Sequence, residues 1–302
     1  MRIPRLIAYI FSLAATLPAV AMPRHELEAR LLNTVSGKRA QIGIAVVING
    51  TDTVTVNNDI RYPMMSVFKF HQALAVADYM ERRGLPLSTA IRIGREDLRE
   101  NTHSPLRDAS PQGEREITVG ELLVYTLQHS DNNACDILFD RTAGTDATDA
   151  YIRSLGIEGF AISANENDMH ADPGRCYDNW TTPLDAVRLL EIFTTRPILS
   201  DEYRSFVTDL MTGCRTGTDR LARPLLGTEA VIGHKTGTGD KNERGEIIGL
   251  NDIGFVTLPD RQRYTIAVFV RDSGHTDTET AGIIADISQT VYEYVTERPR
   301  RP

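Results

Sequence analysis

Strand-forming segments lie near both ends of this 302-residue chain with a long helix-patterned stretch between them, and that order limits the folds open to it. Ile42 to Asn49 and Thr53 to Val56 are β-rich runs joined through Asn49-Gly50, a hairpin signal. Strand character returns at Ala230 to His234, Ile247 to Leu258 and Tyr264 to Arg271, the last two connected by Pro259-Asp260-Arg261-Gln262. One helix, Arg24 to Val35, precedes the first strand, and an amphipathic one, Thr278 to Glu297, closes the chain. In the middle, Ser66 to Arg83 is helical and ends at Gly84, while Thr118-Val119-Gly120-Glu121 is a capping box for a helix running toward His129. Thr182-Pro183 opens another helix, with the proline where its missing N–H costs nothing. The order implies a discontinuous α/β lobe, about residues 22–62 and 219–302, with an all-α lobe, about 63–218, inserted into it. A ligand cleft between the lobes follows.

Residues 1–21 read as a secretory signal peptide: Arg2 and Arg5, an apolar stretch from Leu6 to Leu17, then the small-x-small site Ala19-Val20-Ala21. The mature protein, 22–302, is expected to be periplasmic and soluble, since no later apolar run approaches the roughly 18 residues that cross a bilayer. A net charge of -8 argues against nucleic acid as a partner. The expected partner is a small molecule and the expected state a monomer. Cys135, Cys176 and Cys214 are odd in number and lack metal-type spacing, so no disulfide framework is expected. The histidines form no H-x-x-x-H or H-x-H pair, which argues against a zinc hydrolase; no metal or organic cofactor is implied.

Ser66-Val67-Phe68-Lys69 places a hydroxyl and an amine three residues apart, on one face of a helix start. A serine hydroxyl needs a neighbour to take its proton before it attacks anything. The spacing alone is worth little, because roughly one such match is expected by chance in a chain of this length. Lysine usage makes it informative: Lys38, Lys69, Lys235 and Lys241 are the four lysines among 33 basic residues. Arginine stays protonated, whereas a desolvated lysine can exchange its proton, and a proton-transfer role requires the latter. Ser130-Asp131-Asn132 supplies a second hydroxyl and an amide, although alone it reads better as an N-cap cluster for the next helix, beginning near Asn133. His234-Lys235-Thr236-Gly237-Thr238 ends an expected strand; its lysine and hydroxyl can bind a carboxylate, and its glycine lets a ligand approach the backbone.

S-x-x-K, S-D-N and K-T-G in this order form the signature set of class A β-lactamases and penicillin-binding proteins. From about Ile42 to the C-terminal helix the chain resembles these penicillin-recognising serine enzymes. The resemblance implies their α/β fold, an antiparallel sheet flanked by helices plus an all-α lobe, with the active site between them. Glu166, in Ala164-Asn165-Glu166-Asn167-Asp168-Met169-His170, matches the deacylating glutamate of the class A omega loop. Most class A enzymes have arginine at the place of Ala164, asparagine at His170 and aspartate at Asn179, so the ion pair that usually pins this loop cannot form here. These replacements, with Asp136 and Met169-His170-Ala171-Asp172, are similar to the PER-type, extended-spectrum branch, whose broader cleft suits oxyimino-cephalosporins.

The resemblance implies β-lactam hydrolysis, and so antibiotic resistance, through an acyl-enzyme on Ser66. Lys69, or Glu166 through water, takes the serine proton; Ser130 protonates the departing nitrogen; Glu166 activates the deacylating water. The backbone N–H groups of Ser66 and Thr238 form the oxyanion hole, Lys235, Thr236 and Arg220 hold the substrate carboxylate, and Thr238 also binds the substrate. Asn132 grips the side-chain amide, His170 stands beside the water, and His103 falls at the place of a gate residue. Arg244 is the runner-up to Arg220. Two alternatives share the motifs: a D,D-peptidase or transpeptidase, and a sensor domain that is acylated and stays so.

Overall fold

The computed structural model describes residues 24–297; the leader expected at 1–21 lies outside the described residues. Five strands, β1 Gln41–Ile48, β2 Asp52–Val56, β3 Val231–Thr238, β4 Ile247–Thr257 and β5 Arg263–Ser273, form one antiparallel sheet in the order β2-β1-β5-β4-β3. The β1–β2 hairpin turns at Asn49 and Gly50, both in the left-handed region (φ 51° and 73°), as an Asn-Gly turn requires.

Seven helices matter for the site: α1 Arg24–Val35, α2 Phe68–Arg82, α3 Val119–Gln128, α4 Asn132–Arg141, α5 Glu166–Ala171, α6 Pro183–Thr195 and α7 Asp277–Glu297. Their starts follow the expected chemistry. Thr118 and Glu121 make the capping box of α3, and the Thr182 hydroxyl accepts from Asp185 N at the start of α6, with Pro183 in its first turn.

Strand alternation assigns the two faces of the sheet to different cores. Ile42, Ile44, Val46 and Ile48 of β1, with Tyr264, Ile266, Val268 and Val270 of β5, pack with Leu27 and Leu31 of α1 and Ile284, Ile287 and Val291 of α7. The alternate residues, Ala45, Val47, Ala267 and Phe269, belong to the larger core that includes α2 and α6. Both faces are therefore covered, which is why β1 reads as an almost unbroken apolar run. Helix α2 is buried on nearly all sides, with Phe68, Lys69, Phe70 and His71 inaccessible to solvent.

Candidate active site

Ser66 lies two residues before α2, in a tighter 3-10 turn spanning Met65–Val67, and not in the first turn of an α-helix as the spacing implied. Met65 adopts φ 47° and Ser130 φ 57°, left-handed conformations that cost non-glycine residues on the order of 1 kcal/mol or more. The sheet over-determines the first of these: buried Asn251 donates from Nδ2 to the Pro63 and Met64 carbonyls at 2.8 and 3.1 Å. Strand β3 extends through the K-T-G segment to Thr238, beyond the expected end. Gly237 serves the protein backbone here, since a Cβ at this position would lie 2.6 Å from the Met64 carbonyl oxygen. The glycine lets β3 pass directly against the Ser66 turn.

Lys69 projects from the first turn of α2 with no solvent exposure. Its ammonium donates to Ser130 O at 2.7 Å and Asn132 Oδ1 at 2.6 Å, and pairs with Glu166 Oε1 at 2.9 Å. Three acceptors match the three N–H bonds of an ammonium. The Ser66 hydroxyl faces the same Glu166 oxygen at 3.4 Å. Asp131 caps α4, accepting from Ala134 N at 2.8 Å, and also takes Ser104 Oγ and Leu106 N. The S-D-N segment thus does both jobs weighed for it: its aspartate caps the helix, while Ser130 and Asn132 line the cleft. Asn132 is oriented from behind by Thr102, whose hydroxyl accepts from Nδ2 at 2.8 Å.

Glu166 opens α5, and the element that positions it is Asp136, one turn beyond Asn132 on α4. Asp136 accepts from the backbone N–H groups of Glu166 and Asn167 at 2.8 and 3.0 Å and pairs with Arg99 at 2.7 Å. Burial, with Glu166 nearby, raises its carboxyl to about 7 despite those hydrogen bonds. Buried Asn179 performs the other half of the anchoring. Its Oδ1 accepts from Ser163 N and Ala164 N at 2.9 and 3.0 Å, and its Nδ2 donates to Ala164 O at 2.8 Å. Neutral amide bonding thus stands where an ion pair cannot form. Asn179→Ala strands the buried N–H and C=O of Ala164, so a loss of about 2 kcal/mol in urea unfolding is expected, with faster amide exchange over residues 163–171. Unchanged stability and exchange would contradict this account of the loop.

On the opposite wall, Lys235 is wholly buried and donates to Ser130 Oγ at 2.9 Å and Thr236 O at 2.8 Å. Burial and repulsion from Lys69 lower its amine to about 7. Arg220, 8% exposed, donates to the carbonyls of Gly237 and Asn251, each at 3.0 Å, and to Thr238 Oγ1 at 2.6 Å. Arg244, its rival, points into solvent and pairs with Glu246 at 2.7 Å. Ser66, Ser130, Asn132, Glu166, Arg220, Thr236 and Thr238 line a cleft of about 590 Å³, with His103 and His170 exposed on its rim. His103 Nε2 lies 2.9 Å from the His129 carbonyl oxygen. Thr216 was not foreseen: its hydroxyl is 2.6 Å from Thr236 Oγ1 and lines the same cleft. Among the described residues no group of histidines, cysteines and carboxylates could hold a metal ion, and all three cysteines are free.

A half-buried hydroxyl facing a carboxylate that is itself paired with a buried lysine is the kind of arrangement that serves acyl transfer. The chain belongs to the β-lactamase enzyme family, whose model matches residues 26–295, and within it to class A. It is 40% identical to a β-lactamase of Bacteroides uniformis over 274 residues, covering 90% of this chain and 92% of that protein. Identity to the extended-spectrum β-lactamase PER-1 of Pseudomonas aeruginosa is 35% over 269 residues, covering 89% and 87%. The fold superimposes on a class A β-lactamase of Bacteroides cellulosilyticus DSM 14838 with a TM-score of 0.86 at 41% identity, over 90% of this chain and 98% of that one. The expected α/β fold and hydrolase class are therefore established.

Proposed function

We propose that this hydrolase opens penicillins and cephalosporins, oxyimino-cephalosporins included, through an acyl-enzyme on Ser66. The observation that carries the proposal is Glu166 Oε1 meeting both Ser66 Oγ and Lys69 Nζ. The serine proton passes to Lys69 or, through water, to Glu166, and Glu166 activates the deacylating water. Ser130, held against Lys235, returns a proton to the departing lactam nitrogen; an amine lowered to about 7 is matched to that task. The Ser66 and Thr238 backbone N–H groups stabilise the oxyanion, and Asn132 orients the acylamido side chain. Thr236, Thr238 and Arg220 receive the carboxylate at the buried Lys235 end. His170 and His103 form the rim over the deacylating side.

The same reading divides the chain near residues 62 and 218, with the cleft between an α/β lobe and a helical one. Its support is the core shared by α1, α7 and one sheet face, which draws only on residues 27–56 and 221–295. We take the mature protein to act as a periplasmic monomer on small molecules, without nucleic acid or membrane partners, once residues 1–21 are removed.

Rapid-quench mass spectrometry during turnover of a chromogenic cephalosporin tests the assignment. The expected result is many turnovers per enzyme and a transient adduct on the peptide carrying Ser66. A chain that acylates once and stops would favour the sensor or transpeptidase alternatives. Arg220→Ala is expected to raise KM for carboxylate-bearing cephalosporins about tenfold, with a smaller change in kcat, because a charge-assisted contact is lost. An unchanged KM would return the carboxylate role to Lys235 and Thr236 alone.

A further inference from the structure

The Asp136 carboxylate serves two kinds of partner at once. Its Oδ1 accepts from Glu166 N at 2.8 Å, while its Oδ2 accepts from Asn167 N at 3.0 Å and from Arg99 Nη1 at 2.7 Å. The two amides open α5, whose six residues are too few to hold a helix in place unaided. Arg99 reaches the carboxylate from a fixed backbone. Its N–H donates to Asn133 Oδ1 at 3.2 Å, and its carbonyl accepts from Asn133 Nδ2 at 3.1 Å and Arg107 Nη1 at 3.0 Å. Asn133 belongs to α4, so the guanidinium is clamped to the helix that carries its partner. A cavity of about 190 Å³ runs beside the pair; its lining includes Arg99, Glu100, Asn132, Asp136, Glu166 and His170. Asn132, Glu166 and His170 also line the reaction cleft. Exposed ion pairs contribute little, but the Asp136 side chain is 9% exposed against 43% for Arg99. The carboxylate has given up most of its water and depends on the groups that touch it.

We propose that Arg99 is a positioning residue for deacylation: its guanidinium keeps the Asp136 carboxyl ionised, and the ionised carboxyl holds the first turn of α5, and so Glu166, against the ester on Ser66. The effect on the α5 amides stands apart from the β-lactamase reading; the effect on deacylation rests on it. An ionised carboxyl accepts from both amides and the guanidinium together. A protonated one carries a hydrogen on one oxygen, where an N–H now donates, so at least one of the three contacts is lost. Burial and then the Glu166 charge raise the Asp136 carboxyl to about 7, with the two amides and Arg99 opposing them. Glu100 lines the same cavity and adds to the negative field, and His170 faces it from α5. Lys69 of α2 is committed to Glu166 at 2.9 Å, and Cys135, beside Asp136 on α4, is buried. Arg99 is therefore the cation in direct contact with Asp136 among the described residues. Without it the carboxyl takes its proton at higher pH, and the α5 turn loses its hold within the neutral range.

The test compares the parent with Arg99→Gln and Arg99→Lys by two readouts. In isotopically labelled protein, the amide proton resonances of Glu166 and Asn167 should titrate with Asp136. A midpoint near 7 is expected in the parent, about one pH unit higher in Arg99→Gln, and close to parental in Arg99→Lys. The decay of the cephalosporin acyl-enzyme, followed by rapid-quench mass spectrometry, should show the same displacement of its acid limb. At pH 7 Arg99→Gln should deacylate about fivefold more slowly than the parent, and by about pH 9 the two rates should agree within about twofold. Decay that is slower by one factor at every pH, with the limb unmoved, would reduce Arg99 to a structural contact and overturn the proposal. So would amides that titrate alike in the parent and Arg99→Gln, or an Arg99→Lys enzyme indistinguishable from Arg99→Gln. Parent amides that do not titrate near neutrality would overturn it whether or not either variant folds. Amides that move as expected in a protein that never turns over cephalosporin count against the β-lactamase reading alone.

Discussion

Glu166→Gln is expected to acylate with a β-lactam and then stall, lowering steady-state turnover by about 10²–10⁴-fold. Glutamine preserves the size of the side chain and can still accept from Lys69, but it cannot take a proton from water. Its backbone remains tied by Asp136 through the 166 and 167 amides, so the α5 turn keeps its place. Mass spectrometry should show a persistent adduct equal to the intact antibiotic, and Ser66→Ala should show none. A Glu166→Gln enzyme with parental turnover would remove Glu166 from deacylation. One that neither acylates nor turns over would overturn the expected stall and show that acylation too depends on this carboxylate.

Acid should unfold the protein largely through His71. This residue comes two positions after Lys69 on α2, is wholly buried beside Phe70 and Phe160, and has no hydrogen-bond partner for either ring nitrogen among the described residues. Burial lowers it from 6.5 to about 4. The folded state therefore prefers the neutral ring, and its contribution is complete above the unfolded value of about 6.5. As pH falls toward 4 the unfolded chain binds a proton that the folded one refuses, and stability drops by about 3 kcal/mol across that interval. Urea midpoints for the parent and His71→Leu, measured from pH 7 to 4, should converge on acidification by about that amount. Parallel curves would show that the ring is accommodated in its charged form.

What could be read from residue order was local. The Asn49-Gly50 turn, the Thr118 and Thr182 caps and the Ser66-to-Lys69 spacing each depend on chemistry within four residues. The three motifs also converge as their order implied, and of the two candidate arginines Arg220 is buried at the cleft while Arg244 is exposed and paired with Glu246. What escaped depends on distant segments meeting. Nothing in S-D-N-N-A-C-D says that its last aspartate will gather amides 30 residues away, because that needs the path of the loop. The pairing of Thr216 with Thr236, and of His234 with Asp252, needs the β3–β4 register and the course of the segment crossing it. Gly237 was read as room for a ligand, and the close neighbour is the chain's own Met64 carbonyl.

The pairing of β1 with β5, from Gln41 opposite Arg271 to Ile48 opposite Tyr264, has a consequence for biogenesis. The first strand made must wait for one made near the end of synthesis, with the helical middle threaded between them. Loop-closure entropy for such a span is met late, so a nascent chain gains little from its early strands and stays open until almost all of it is available. Ribosome-bound fragments ending before residue 263 should therefore remain protease-sensitive across residues 41–56, and a nonsense mutation even there would forfeit the oldest part of the sheet along with the newest.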